Sequence, residues 1–196
     1  MSRTESTMIQ LGSTAPDFAL PAANPDVDER GSDEKRRLAD YDDADVLVVV
    51  FMCNHCPYVK HVEDELLQVA RDYAGRSVQF VGICSNNAET HPQDSFENMA
   101  ERALEKDYPF PYLRDESQEV ASDYGAVCTP DFFVYNDERR LVYRGRFDES
   151  RPNQGPPTGE DLRQAIDDLL EEGRVFGEQY PSVGCNIKWK PGMEPA

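Results

Sequence analysis

Residues 46–73 read VLVVVFMCNHCPYVKHVEDELLQVARDY, which is an apolar run, then two cysteines, then an amphipathic segment. The apolar run is rich in β-branched residues and carries no charge, as is typical of a strand buried on both faces of a sheet. After the cysteines, apolar residues recur at helical spacing with acidic residues between them, which predicts an amphipathic helix. Cys53 and Cys56 therefore stand where a strand gives way to the first turn of a helix.

This position favours redox chemistry at the two cysteines. Cysteines three residues apart in a first helical turn are close enough to form a disulfide. The helix N-terminus presents unpaired N–H groups and a partial positive charge, so we expect the pKa of the first thiol, Cys53, to be lowered. His55 would favour the thiolate further when it is protonated or donates a hydrogen bond. The pattern predicts a redox-active pair, Cys53 and Cys56.

Two other roles for the pair are weaker. A structural disulfide between Cys53 and Cys56 would close almost no loop and would stabilise the fold little. A zinc site is conceivable because His55 and His61 lie close by in sequence, but a second Cys-X-X-Cys or His-X-X-His pair is absent. We therefore predict a site that works without a metal or another cofactor.

The chain is strongly acidic, which limits its partners. Its 196 residues include 38 acidic and 20 basic ones, for a formal net charge of -18. Nucleic acid and anionic membranes repel such a surface, so neither is an expected partner. Lysine is rare, and the acidic residues are spread over every segment, which is typical of a protein from a high-salt (halophilic) organism.

Cysteine usage and the N-terminus predict the compartment. Five cysteines, an odd number, argue against the disulfide framework of a secreted protein. Residues 1–18 lack the apolar core of a signal peptide, and no apolar run is long enough to cross a bilayer. We expect a cytoplasmic protein, in which thiols are kept reduced and a vicinal pair is more often catalytic.

The rest of the chain predicts an α/β fold. Val78–Cys84 is a second apolar strand, and the helix between it and the first strand makes a parallel βαβ unit. A capping box at residues 94–97 begins a further helix. Thr129-Pro130 precedes an antiparallel hairpin over residues 131–147, and a last amphipathic helix ends at Gly173.

This order of elements resembles the thioredoxin fold, in which the proline corresponding to Pro130 is cis and faces the dithiol. Ala15-Pro16-Asp17-Phe18 is similar to the opening of the redoxin branch, the alkyl hydroperoxide reductase/thiol-specific antioxidant family. Three segments resemble a narrower peroxiredoxin-like group with a Cys-X-X-Cys motif: FMCNHCPYV at 51–59, GRFD at 145–148 and GCNIKWK at 184–190. The resemblance covers about residues 10–192.

The resemblance implies a thioredoxin-like fold with a central mixed sheet flanked by helices and with N-terminal and C-terminal extensions. We expect one thioredoxin-like domain over residues 1–196, with its core at 10–175 and a C-terminal extension at 176–196.

The chain departs from both groups near its cysteines. Peroxiredoxins carry a proline and a Thr or Ser seven and three residues before the peroxidatic cysteine, and counted from Cys53 those positions hold Val46 and Val50. The hydroxyl that would orient a peroxide is therefore missing. Thioredoxins carry a buried aspartate six residues before the first cysteine, where this chain has Leu47. A water or His55 must then move the proton of the second thiol.

The first functional hypothesis is a thiol-disulfide oxidoreductase that acts on protein or small-molecule disulfides and is returned to its dithiol form by a reducing partner. Cys53 attacks the substrate disulfide, and Cys56 resolves the mixed disulfide. The resemblance implies that Thr129 and Pro130 line the groove that holds the substrate, and His55 is a third candidate for substrate binding.

The second hypothesis is a thiol peroxidase and antioxidant protein, in which Cys53 becomes a sulfenic acid and another cysteine condenses with it. An arginine beside the thiolate would stabilise the anion and polarise the peroxide. The candidate cysteines are Cys56, Cys128 and Cys185, and the candidate arginines are Arg144 and Arg146.

The third hypothesis is a metal-binding chaperone. Related folds bind copper through two cysteines and a histidine, so Cys53 and Cys56 could act with one of the three histidines of the chain. The first two hypotheses rank closely together and above the third. Cys84 and Cys128 are expected near the dithiol as small buried hydrophobic residues.

Overall fold

The fold was obtained as a computed structural model, which describes residues 3–30 and 34–195. The strands are β1 (Arg3–Glu5), β2 (Ala19–Pro21), β3 (Lys35–Arg37), β4 (Val46–Phe51), β5 (Val78–Cys84), β6 (Tyr112–Arg114), β7 (Cys128–Thr129), β8 (Asp131–Tyr135), β9 (Leu141–Gly145) and β10 (Val183–Asn186). The helices are α1 (Pro57–Asp72), α2 (Phe96–Glu105), α3 (Glu119–Asp123) and α4 (Glu160–Glu172). Short 3-10 turns occur at Pro25–Val27, Leu38–Tyr41 and Pro92–Asp94.

β4 is the central strand of a five-stranded mixed sheet. It pairs in parallel with β5 and antiparallel with β8, and the strand order is β6-β5-β4-β8-β9. β6 extends the parallel half, whereas β9 completes an antiparallel hairpin with β8. This arrangement confirms the predicted α/β, thioredoxin-like fold with a mixed sheet flanked by helices.

Both faces of β4 are covered, which explains its unbroken apolar sequence. Successive side chains of a strand point to opposite faces. The even-numbered residues of β4 pack with apolar residues of α1, α2 and α4, and the odd-numbered residues pack with α3 and the N-terminal segment. Every residue of β4 is fully buried, and each large apolar side chain contributes about 1.5–3 kcal/mol by leaving water.

α1 begins one residue after the second cysteine. Pro57 occupies its first position and Cys56 is the N-cap residue. Proline is tolerated there because its missing N–H would have no partner within the helix. The turn that carries the two cysteines therefore connects the carboxyl end of β4 directly to α1, as the sequence predicts.

A smaller sheet lies beside the central one and was not predicted. Its order is β1-β10-β7, with β10 antiparallel to both neighbours. β10 falls within the C-terminal extension, where the sequence pattern predicted no regular element. It approaches β7 very closely, since a Cβ atom at Gly184 would lie 1.9 Å from the carbonyl oxygen of Thr129. Glycine at this position is therefore a steric requirement of the pairing.

None of the described helices is both long enough and apolar enough to span a membrane.

Candidate active site

The two cysteines lie in the turn between β4 and α1, facing β7. The Sγ atom of Cys53 lies 3.5 Å from the hydroxyl oxygen of Thr129, and that of Cys56 lies 3.3 Å from the Thr129 carbonyl oxygen. A hydrogen bond also joins the two cysteine side chains. The Thr129–Pro130 peptide bond is cis, as the resemblance implied. The fold thus brings together four residues that the sequence placed in the site.

Both cysteines are buried at the junction of β4 and α1. Only 2% of Cys53 and 0% of Cys56 is exposed. Both belong to the buried apolar cluster between the sheet and the helices, and within it the hydroxyl and carbonyl groups of Thr129 contact the sulfurs. A substrate can reach either sulfur only after a covering segment moves.

The hydrogen-bond donors of the site converge on Cys56. Its pKa is lowered by hydrogen bonds from the thiols of Cys185 and Cys53, and backbone hydrogen bonds of Val59 and Cys185 act in the same direction, against the effect of burial. The Thr129 carbonyl oxygen accepts from the Cys56 thiol and therefore favours its protonated form. This single acceptor is outweighed by the several donors that favour the thiolate. In the reduced protein, Cys56 is the better site for the thiolate.

The prediction of a lowered pKa at Cys53 is wrong for this conformation. Burial raises the pKa of Cys53, and its hydrogen bond with Cys56 and the negative charge of Asp94 raise it further. The physical reason is the start of the helix: because α1 begins at Pro57, its N-terminal N–H groups reach the N-cap residue Cys56 rather than Cys53.

Asp94 is a functional candidate that the sequence analysis missed. It is fully buried and it accepts hydrogen bonds from the backbone N–H groups of Asn54 at 2.8 Å and His55 at 3.3 Å, and from the amide of Asn86 at 2.8 Å. The Nδ1 atom of His55 lies 2.5 Å from its Oδ2 atom. Burial raises the pKa of Asp94, but these hydrogen bonds and His55 outweigh burial and leave the pKa below its ordinary value.

Asp94 was assigned to a capping box, and this assignment is wrong. Ser95 is the N-cap residue of α2, and its hydroxyl accepts a hydrogen bond from the backbone N–H of Asn98. The side chain of Asp94 is thereby free to turn towards the cysteines. A signal did exist, because Asp94 follows the polar loop at the carboxyl end of β5, the edge where α/β sheets place their sites.

His55 is held by Asp94 and stacks on His91, with ring centroids 4.8 Å apart. Its Nε2 atom is buried and has no hydrogen-bond partner within residues 3–30 and 34–195. The predicted substrate-binding residue is therefore oriented from within the site, and one ring nitrogen is left for proton transfer or for a ligand.

Pro130 and Thr129, the residues that the resemblance places in a substrate groove, differ in exposure. Pro130 lines a surface groove together with Tyr58, His61 and Phe147. Thr129 is only 3% exposed, because β10 pairs with its strand.

The predicted accessory residues differ in their distance from the dithiol. Cys185 contacts Cys56, whereas the Cys128 thiol is directed to the Pro130 carbonyl oxygen at 3.9 Å. Arg146 forms an ion pair with Asp161 at 2.5 Å. Cys84 and Cys128 are fully buried, which confirms that expectation.

A metal ion has one candidate set of ligands in the part of the chain that the structure describes. Ligand atoms of Cys53, His55 and Asp94 lie within 4.8 Å of one another. The set differs from the predicted copper site, because a carboxylate takes the place of Cys56.

The fold and the cysteine-containing turn define the class of protein. A mixed sheet, a Cys-X-X-Cys turn at the start of a helix and a cis-proline opposite the two sulfurs are the features of a thioredoxin-like protein. A family model described as the AhpC/TSA family matches residues 11–144. The chain belongs to this family, the redoxin branch that the sequence resembles.

Solved structures share the fold of this chain. An uncharacterized conserved protein from Geobacillus kaustophilus is 50% identical, with 98% of each chain covered and a TM-score of 0.91. A hypothetical protein from Sinorhizobium meliloti 1021 is 45% identical over 96% of this chain and 100% of that chain, with a TM-score of 0.89. A thiol:disulfide interchange protein of the thioredoxin family from Chlorobium tepidum TLS is 16% identical over 84% of this chain and 99% of that chain, with a TM-score of 0.61, and shows the fold alone. No curated protein matches the chain.

Family and fold together establish the general activity. The chain is an oxidoreductase of the thioredoxin-like type, either a thiol-disulfide oxidoreductase or a thiol peroxidase. Its substrates are accordingly disulfides or peroxides, and it requires a reductant as partner.

Proposed function

We propose that the chain is a thiol-disulfide oxidoreductase whose redox pair is Cys53 and Cys56, which cycle through a redox-active disulfide. The observation that carries this proposal is the contact between the two side chains, in a turn that faces the cis-proline. Two thiols in contact at the start of a helix can exchange between a dithiol and a disulfide without a large movement of the backbone.

The proposed reaction begins at Cys53. Its thiolate attacks one sulfur of the substrate disulfide, a new Cys53–substrate disulfide forms, and the other substrate sulfur leaves as a thiol. Cys56 then attacks the Cys53 sulfur, which releases the second substrate thiol and leaves the Cys53–Cys56 disulfide. The lowered pKa of Cys56 supports its role as the resolving group, because its largest cause, the hydrogen bond with Cys185, does not depend on a free thiol at Cys53.

Cys53 must lose a proton before it can attack. We assign the removal of this proton to the pair formed by His55 and Asp94. The Sγ atom of Cys53, a ring nitrogen of His55 and a carboxylate oxygen of Asp94 lie within 4.8 Å of one another. The carboxylate orients the imidazole through the 2.5 Å contact at Nδ1, as an orienting group does for a general base. Asp94 is thus a buried acid close to the first thiol, whereas the aspartate that thioredoxins carry at the position of Leu47 serves the second thiol.

Reduction of insulin disulfides by the full chain tests the redox pair. Cys53→Ser is expected to abolish turnover, and Cys56→Ser is expected to leave the enzyme trapped as a mixed disulfide that gel electrophoresis without reductant detects. Cys84→Ala, which removes another buried thiol outside the proposed mechanism, is the matched control. Full activity of Cys53→Ser would show that the assignment is wrong.

A thiol peroxidase is the second candidate, and one contact favours it. The hydroxyl group of Thr129 lies 3.5 Å from the Cys53 sulfur, so a side chain far along the sequence supplies the hydroxyl that Val50 lacks. The arginine requirement argues against it, because Arg144 donates to Asp131 and Arg146 to Asp161. Stopped-flow rates with hydrogen peroxide and with a disulfide substrate, measured on one sample, decide between the two activities.

A cytoplasmic location in a halophilic organism is a further part of the proposal. It is supported by the net charge of -18 and by the scarcity of lysine, since salt screens the mutual repulsion of acidic groups. The free energy of unfolding is then expected to rise between 0.1 and about 2 M KCl. A free energy that stays constant or falls over this range would contradict the halophilic origin.

A further inference from the structure

Strand β10 carries a third thiol to the redox pair. In the pairing of β10 with β7, Cys185 lies opposite Thr129, the residue whose hydroxyl and carbonyl groups contact the other two sulfurs. The approach of the strands at Gly184 leaves no room even for a methyl group. Cys185 is therefore held at a fixed position beside the pair, although it lies far from it in sequence.

The three thiols form one buried row. The side chain of Cys185 hydrogen-bonds to Cys56, which in turn hydrogen-bonds to Cys53. All three are at most 3% exposed and belong to the same buried cluster. The two remaining cysteines have other partners, since Cys84 lies 3.8 Å from a guanidinium nitrogen of Arg114 and Cys128 is directed to a carbonyl oxygen.

We infer that Cys185 is a third redox residue, which takes over the disulfide from Cys53 by exchange at Cys56. The inference rests on the proposed thiol-disulfide chemistry of Cys53 and Cys56. Cys56 interacts with each of the two other thiols, so it is the one that can form a disulfide with either of them, and the choice determines which thiol is left free.

The exchange balances without an external oxidant or reductant. It starts from the Cys53–Cys56 disulfide that substrate reduction leaves behind. The deprotonated sulfur of Cys185 attacks the Cys56 sulfur, the Cys56–Cys185 bond forms and the Cys53–Cys56 bond breaks. Cys53 leaves as a thiolate and takes up the proton that Cys185 released, so one disulfide is present before and after the step.

The exchange has two consequences for the site. Cys53 is regenerated as a thiol while the protein is still oxidised, and the reductant can act on a disulfide that does not include the attacking cysteine. The new bond also fixes β10 covalently to the start of α1, over the site that β10 covers. Reduction of this bond is then required before β10 can move away from the sulfurs.

The test maps disulfides in full-length variants equilibrated anaerobically in glutathione redox buffers. Cys53→Ser isolates the proposed pair, C53S/C185S removes it, and C53S/C128S is the matched control that removes a neighbouring buried thiol. After acid quenching and alkylation, mass spectrometry of the peptides identifies each disulfide. We expect the Cys56–Cys185 peptide pair in C53S and in C53S/C128S, and its complete loss in C53S/C185S, where Cys56 carries glutathione instead.

Three results would overturn the inference: Cys56 of C53S carries only glutathione, pairs with Cys128, or stays reduced in the most oxidising buffer. The wild-type chain in the same buffers tests the proposed function separately, because that proposal requires a Cys53–Cys56 disulfide. Its absence from the wild type would refute the proposed function even if C53S forms the Cys56–Cys185 bond. Far-ultraviolet circular dichroism of each variant checks that the chains compared are folded.

Discussion

Replacement of Asp94 by asparagine is expected to weaken both the fold and the reaction. The substitution keeps the shape of the side chain and one oxygen, which can still accept from the backbone N–H groups of Asn54 and His55. The second oxygen becomes an NH₂ group, so it can no longer accept from Asn86 at 2.8 Å or from the His55 ring at 2.5 Å.

The size of the effect follows from these lost bonds. A hydrogen bond to a charged group contributes about 1.5–3 kcal/mol, so the loss of two costs roughly 3–6 kcal/mol, and rotation of the Asn86 amide recovers a part. We expect a decrease of about 3 kcal/mol in the free energy of unfolding, or roughly 6–12 °C in Tm for a chain of this length. If Asp94 orients the base for Cys53, the rate of insulin reduction falls by about 100-fold.

The stability effect has a defined pH dependence. The folded protein lowers the pKa of Asp94, so its contribution to stability is fully present above the ordinary carboxyl pKa and is lost as pH falls through the folded value. The difference in the free energy of unfolding between wild type and Asp94→Asn is therefore constant above about pH 5 and becomes smaller below about pH 4. Urea unfolding across this range measures it.

Asp123→Asn is the matched control, because it makes the same charge change at an exposed carboxylate on α3. It is expected to change stability by less than about 0.5 kcal/mol. If Asp94→Asn unfolds within about 0.5 kcal/mol of wild type and reduces insulin within about twofold of it, the role assigned to Asp94 is refuted. If only the rate is unchanged, Asp94 supports the fold but does not activate Cys53.

Three further substitutions test other parts of the structure. Arg144→Met removes the partner of the Asp131 carboxyl, since the 2.9 Å ion pair between them is 0% exposed on both sides. Burial already raises the pKa of Asp131 to about 7, so without the guanidinium this carboxyl must take up a proton, and urea unfolding should show a loss of about 3–5 kcal/mol. Gly184→Ala places a Cβ atom against the Thr129 carbonyl oxygen, so β10 must shift. The rate of iodoacetamide alkylation at the dithiol should then rise by about tenfold or more, which corresponds to a decrease of about 1.4 kcal/mol in the free energy of moving β10 away from the sulfurs. Glu63→Gln removes a buried charge that accepts from a tyrosine hydroxyl at 2.6 Å and from an arginine, and Tm should fall by about 4–8 °C, corresponding to roughly 2 kcal/mol.

Each of these substitutions has a control at a less constrained position. Arg174→Met and Glu97→Gln change exposed residues and should alter stability by less than about 0.5 kcal/mol. Gly192→Ala adds a methyl group where no atom lies within 4 Å of the new Cβ, so it should leave the alkylation rate unchanged. Equal effects of a substitution and its control would contradict the contact on which that prediction rests.

The central βαβ unit could be predicted because its cause is local. An apolar run without charges has to be buried on both faces, and β4 is fully buried. Helical spacing after Cys56 requires one apolar face, and the buried residues of α1 lie on that face. Periodicity reports burial directly, so these elements and the dithiol turn between them follow from residues 46–73.

The electrostatics of the site were decided by tertiary structure. The helix N-terminus was expected to act on Cys53, but the donors meet at Cys56, and two of them come from Cys185 on a strand near the C-terminus. Asp94 reaches the site because Ser95 takes over the capping role at α2. The position of Asp94 after the loop at the end of β5 was the one local signal, whereas the lowered pKa of Cys56 leaves none, because a pKa depends on groups that only folding brings near.

The chain by itself therefore determined the order of the central strands and the helices, the position of the two cysteines and the family to which it belongs. Tertiary structure alone decided how deeply the sulfurs are buried, which of them holds the negative charge, and that Cys185 lies beside them. The reason is the range of the forces involved. Backbone pattern and periodicity are properties of neighbouring residues, whereas burial and hydrogen bonding to a thiolate arise between segments that are distant in sequence.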